Sequence, residues 1–70
     1  MRHIKFIQIL TPTLDGNIME RIGIGLPFWD LGICQRIEQR DDGSFVVLFE
    51  KNNVTYDYFI TDVKRHLLKH

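Results

Sequence analysis

Phe45-Val-Val-Leu-Phe-Glu-Lys-Asn-Asn-Val-Thr-Tyr-Asp-Tyr-Phe-Ile-Thr-Asp-Val-Lys-Arg-His-Leu67 is the stretch that decides how this chain folds. Two runs of β-forming residues flank the pair Asn52-Asn53, a residue type that tolerates the positive φ a tight hairpin turn demands. Phe45 to Phe49 is apolar on both faces, the mark of a central strand. Val54 to Phe59 alternates, with Val54, Tyr56 and Tyr58 on one face and Thr55, Asp57 and Phe59 on the other. Thr61-Asp62 can cap a turn. Val63 to Leu68 then fits either a short last strand or a C-terminal helical turn. Ile60, Val63 and Leu67 match helical spacing, and the basic residues suit a helix C-terminus.

Working towards the N-terminus, Arg40-Asp41-Asp42-Gly43-Ser44 carries the Asp-Gly pair of a hairpin connection. Before it, Ile33 to Gln39 reads as a half-exposed strand, with Ile33, Gln35 and Ile37 on one side and Cys34, Arg36 and Glu38 on the other. Thr13 to Gly32 is the least regular part. Asp15-Gly16-Asn17 signals a turn, and Ile18 to Ile22 fits one helical turn or a short strand. Gly23, Gly25, Pro27 and Gly32 then fall within ten residues, which defeats a long helix. The expectation is one long loop of about 20 residues, uncommon in so small a domain, and long loops are functional more often than short ones. His3 to Leu10 is a strand by its β-branched content, expected to stop at Thr11-Pro12 because proline lacks the ladder donor.

Seventy residues make one small domain, residues 1–70, that buries only about 60% of the surface its unfolded chain exposes. With 44% hydrophobic and 26% charged residues the composition is that of a folded protein, not a disordered one. The one cysteine, Cys34, excludes an intramolecular disulfide scaffold. No stretch reaches the roughly 18 apolar residues of a membrane helix, and Met-Arg-His-Ile-Lys lacks the apolar core of a signal peptide. A cytoplasmic location is therefore expected. The formal net charge is zero but uneven. Arg2, Lys5, Lys64, Arg65 and Lys69 lie at the two ends, while residues 6–63 hold nine acidic and four basic side chains.

The order of strand, loop, strand, Asp-Gly hairpin, strand, tight turn, strand and closing turn resembles an SH3-like small β-barrel, mainly over residues 33–68. Asp42-Gly43-Ser44-Phe45-Val46-Val47-Leu48-Phe49, followed by Tyr56 to Val63, looks like the second half of Tudor, KOW and Sm-type barrels. The resemblance implies a mainly β chain folded as a single five-stranded SH3-like barrel, with a long first loop and room for a short C-terminal helical turn. An Sm-type RNA-binding motif and the KOW glycine pattern are missing, so the resemblance speaks for architecture. Such barrels host many unrelated functions.

Candidate sites each have a bland counterpart. Leu26, Phe28, Trp29 and Leu31 form an apolar loop that either plugs the core or anchors a partner protein, tryptophan being enriched at binding hot spots. Tyr56 and Tyr58 share a face that suits base stacking or cross-strand packing. With Lys5, Lys64, Arg65 and Lys69 they make up the alternative nucleic-acid surface, joined by Arg2, His3, His66 and His70 if the first strand pairs near the last. A sequence pI near 6.8 is low for a dedicated nucleic-acid binder. His66 and His70, four apart, are too few for a structural zinc site, and no metal or other cofactor is implied. Cys34 has no base beside it in the sequence, and catalytic motifs are missing.

The leading expectation is a non-enzymatic regulator or inhibitor that docks on another protein through the aromatic loop, a compact kind of protein often encoded by phages and mobile elements. The alternative is a nucleic-acid-binding barrel. Self-assembly into a homo-oligomer through strand edges or loop aromatics is a third course.

Overall fold

Residues 45–67 supply an interior strand, an edge strand and a helix, the first of these as the apolar run implies. A computed structural model of the chain describes residues 2–68, Arg2 by its backbone alone. The elements run β1 (Arg2–His3), β2 (Phe6–Thr13), β3 (Gly16–Gly23), β4 (Pro27–Phe28), β5 (Gly32–Gln39), β6 (Phe45–Lys51), β7 (Val54–Phe59) and α1 (Ile60–Leu68). The fold is mainly β, with a short helix at its C-terminal end. The strands divide between two antiparallel sheets. The larger has the order β1-β5-β6-β7, with β4 also on β5, and the smaller is the β2-β3 hairpin.

The meander β5-β6-β7 follows its turn chemistry. Asn52 and Asn53 sit at φ 55° and 65°, which closes β6 onto β7 in two residues. Gly43, at φ 89°, closes the turn between β5 and β6, where its N–H donates to the Arg40 carbonyl and the Arg40 N–H to the Ser44 carbonyl. Asp42 steadies this turn by accepting from the Ser44 N–H at 2.9 Å and the Ser44 hydroxyl at 2.6 Å. The segment after β7 takes the helical alternative. Val63 and Leu67, one helical turn apart, point into the core.

Strict alternation fails in β5. A bulge at Gln35 shifts the register between Cys34 and Arg36, so that Cys34 and Ile37 both face inwards and are buried. Ile33, expected on the same side as Ile37, is exposed on the opposite face.

The N-terminal half departs further from expectation. The first strand is broken at Ile4-Lys5. The short β1 lies beside the end of β5, and β2 leaves to pair with β3. The long first loop is absent, because residues 16–23 are a strand. Leu14-Asp15 turns the chain, Gly16 adopts φ 129°, and the Thr13 hydroxyl donates to the Gly16 carbonyl at 3.0 Å. β2 also runs past its expected stop, with Pro12 in register opposite Asn17. A two-residue hairpin makes Thr13–Gly16 the hydrogen-bonded pair and Pro12–Asn17 a non-bonded one, so no ladder donor is needed from Pro12.

One core joins the two sheets and the helix. Ile9 and Ile22 of the hairpin meet Phe28, Leu31, Cys34, Ile37, Val47, Phe49, Val63 and Leu67. Phe49 is its centre, stacked on Phe28 at 5.9 Å between ring centroids and edge-on to Tyr58 at 5.8 Å.

Candidate functional site

The loop that carries the expected partner-binding residues splits between core and surface. Phe28 and Leu31 are buried and belong to the hydrophobic cluster, where Phe28 supports Phe49. They are the core plug of the two readings, and neither offers surface to a partner. Leu26 and Trp29 keep 53% and 45% of their surface exposed, which makes them the accessible part of the set.

Trp29 is held by its neighbours. It adopts φ 49°, a left-handed backbone that few non-glycine residues take, and it lies between the buried Phe28 and Asp30. The Asp30 carbonyl accepts from Lys51 Nζ at 2.7 Å, and its carboxylate meets His66 Nε2 of α1 at 2.6 Å. The Leu31 N–H donates to the Phe28 carbonyl at 3.1 Å. The loop is thus tied to β6, to α1 and to itself. An aromatic displayed this way loses little conformational freedom on contact, which favours binding.

No family model, curated protein or solved structure matches this chain.

The residues of the nucleic-acid alternative lie on several elements. Tyr56 and Tyr58 share the inner face of β7, as their spacing implies. Tyr58 is half-buried against Phe49, and Tyr56 remains exposed. Lys5 is an exposed side chain just before β2. Lys64 is half-buried and lines a groove of about 400 Å³ with residues 6–10 of β2, Phe45 and Ile60. Arg65 is paired with Asp62 at 3.4 Å within the helix. Lys69 and His70, and the side chain of Arg2, lie outside the described residues. β1 lies beside β5, not beside β7 or α1, so the first strand does not meet the last segment through β1. Contact between the ends runs instead through β2, against which α1 packs.

Among the described residues no three of His, Cys, Asp and Glu gather to hold an ion, and His66 is engaged with Asp30. Cys34 is buried, and burial pushes its thiol above the ordinary value, the reverse of what a nucleophile needs. No helix among the described residues is long and apolar enough to cross a membrane.

Two apolar surfaces were not singled out from the sequence. The outer face of the hairpin shows Phe6, Leu10 and Met19, with the Arg21 guanidinium 4.1 Å above the Phe6 ring. The outer face of the meander forms a shallow concavity of about 540 Å³, floored by Val46 and Leu48 and walled by Arg36, Glu38, Arg40, Asp57 and Phe59. In β7 the signal was visible, since alternation already set Asp57 and Phe59 on one side. For the hairpin there was none, because one apolar residue after another obscures which face is buried.

Proposed function

We propose that this protein is a non-catalytic, cytoplasmic binding module of the SH3-like small-barrel kind, which docks on a partner protein and modulates it as a regulator or inhibitor. The observation that carries the reading is the display of Trp29. It is a half-exposed tryptophan on a loop fixed on one side by the buried Phe28 and on the other by Asp30, itself tied to Lys51 and His66. Leu26 gives the contact a second apolar side chain. Large aromatic residues held rigidly at a surface are the usual centres of binding energy. The meander closed by α1 is the part that supports the small-barrel likeness. Cys34 is buried and burial raises its thiol, which agrees with a surface that works by contact.

Photo-crosslinking in the source cell tests this. A photoreactive residue placed at position 29 or 26 is expected to capture one protein species that the same residue at Asp15, at the hairpin tip, does not capture. Equal capture from all three positions, or none, overturns the reading. Recovery of nucleic acid instead, with affinity falling steeply and log-linearly with salt and lost in Lys64→Ala, moves the function to the basic ends and also overturns it.

A further inference from the structure

The chain forms a slab 34 × 31 × 16 Å in extent, thick enough for a single layer of core. That core lies on the inner side of the meander, where Cys34, Ile37, Val47 and Phe49 are fully buried. The outer side is uncovered within the chain, yet it is not a simple polar face. Two rows of side chains cross it, following the strand register. One row is Arg36, Leu48 and Asp57, and the next is Glu38, Val46 and Phe59. Each row sets an apolar residue of β6 at the centre. The charges differ between the sides. On the β5 side stand Arg36 and Arg40, with Glu38 held 3.5 Å from Arg36, and on the β7 side stands Asp57. Asp57 has no ion-pair partner among the described residues. Arg40 reaches across one end, its guanidinium 5.7 Å from the Phe59 ring centroid.

A face that is basic along one edge, apolar along its midline and acidic along the other complements its own copy under one operation. A two-fold axis running along β6 between two stacked sheets exchanges the edges and keeps the level of each row. We propose that this protein self-associates through the outer face of β5-β6-β7, with Leu48 and Val46 of the two copies meeting on the axis and Arg36 of each opposite Asp57 of the other. The arrangement is isologous, so the charge pair is made twice. It is also the aligned packing that twisted sheets adopt, crossing at about 30°. One group opposes it. Glu50 stands one row beyond Leu48 on the same strand, so the two Glu50 side chains approach each other near the axis. This surface is formed by residues other than Leu26 and Trp29, and the proposal does not depend on the docking reading.

Sedimentation velocity across a concentration series tests the pairing, with circular dichroism confirming that each variant is folded. The wild type is expected to dimerise reversibly. Arg36→Asp alone and Asp57→Arg alone each set like charges opposite one another and weaken the dimer by roughly tenfold or more. The two single variants mixed together restore it, because each then supplies what the other lacks, and the double variant Arg36→Asp/Asp57→Arg dimerises on its own. Glu50→Gln tightens the pair. A wild type that stays monomeric up to its solubility limit overturns the proposal. So does a dimer indifferent to Arg36→Asp, which would point to pairing along the open edge of β7, where Arg36 does not lie.

Discussion

The meander with its helix, residues 32–68, and the hairpin, residues 6–23, are built from the same local signals but hold together differently. Both use a two-residue turn and antiparallel pairing. The meander buries the β5-β6 part of one face, with Cys34, Ile37, Val47 and Phe49 inaccessible and Val63 and Leu67 of α1 in the same core, while Val54 and Tyr56 of β7 on that face remain exposed. The hairpin commits Ile9, Thr11 and Ile22 to the interior and leaves Phe6, Leu10, Leu14 and Met19 outside. A turn signal therefore specifies a connection and says little about how firmly the strands it joins are held. Burial decides that, at roughly 25 cal/mol per Å² of apolar surface removed from water.

The contrast is tested most strongly by the same substitution in each half. Phe49→Ala should cost about 3–5 kcal/mol by urea denaturation, because it opens a cavity between Phe28 and Tyr58. In a domain with so thin a margin that approaches global unfolding. Phe6→Ala removes a half-exposed ring and its contact with Arg21, and should cost about 1 kcal/mol at most. Equal losses would break the division into a firm half and a loose one.

Glycines give the second comparison. Gly32 and Gly16 both have positive φ, at 114° and 129°. A Cβ at Gly32 would collide with the Glu50 carbonyl oxygen of β6, whereas one at Gly16 meets nothing within 4 Å. Gly32→Ala should therefore cost about 3 kcal/mol or more, and Gly16→Ala only the backbone strain of about 1 kcal/mol, by thermal unfolding. The Thr11 hydroxyl is buried in the hairpin with no hydrogen-bond partner among the described residues. Thr11→Val keeps the shape, removes that unsatisfied group, and should stabilise by about 1 kcal/mol. A loss on this substitution would show that the hydroxyl is satisfied.

The smallest effect is electrostatic. The Ser44 hydroxyl and N–H hold the Asp42 carboxyl below its ordinary range. A depressed value means that the contribution is present above the unfolded carboxylate's pKa and is lost as pH falls through the folded one. Wild type should thus be slightly more stable than Asp42→Asn at neutral pH, with the two stability curves converging in acid. A difference that widens in acid would reverse the sign.

The meander was legible in the sequence because its signals agreed. Asn52-Asn53 and Asp42-Gly43 marked both turns, Val54 to Phe59 alternated cleanly, and Phe45 to Phe49 was apolar throughout. Two features there were hidden. The bulge at Gln35 leaves no trace in residue type but reverses which of Ile33 and Cys34 points inwards, and the last segment offered a helix and a strand equally. The first strand of the hairpin was read as a strand, but the second was placed within a loop, with Ile18 to Ile22 left as a helical turn or a short strand, because glycines and a proline close by count against regular structure; Pro12 was taken as the end of a ladder that needs no donor from it. For the candidate site, residue type located the loop but could not sort its members. Phe28 and Leu31 are buried and Leu26 and Trp29 exposed through a tight local fold-back, with Pro27 opposite Ile33 and Phe28 opposite Gly32, whose register residue type alone does not set.

The join between Asp30 and His66 also bears on how the molecule is made. Val63 and Leu67 complete the core, and His66 fastens the loop that carries Trp29, so a helix made after all the strands finishes both the interior and the loop. While the chain is still emerging, the hairpin is present before anything can cover the inner face of the meander. A nascent chain that has passed β7 but not Leu67 has an open interior and a loose Trp29 loop. The Trp29 loop thus reaches its final form only once α1 has been made.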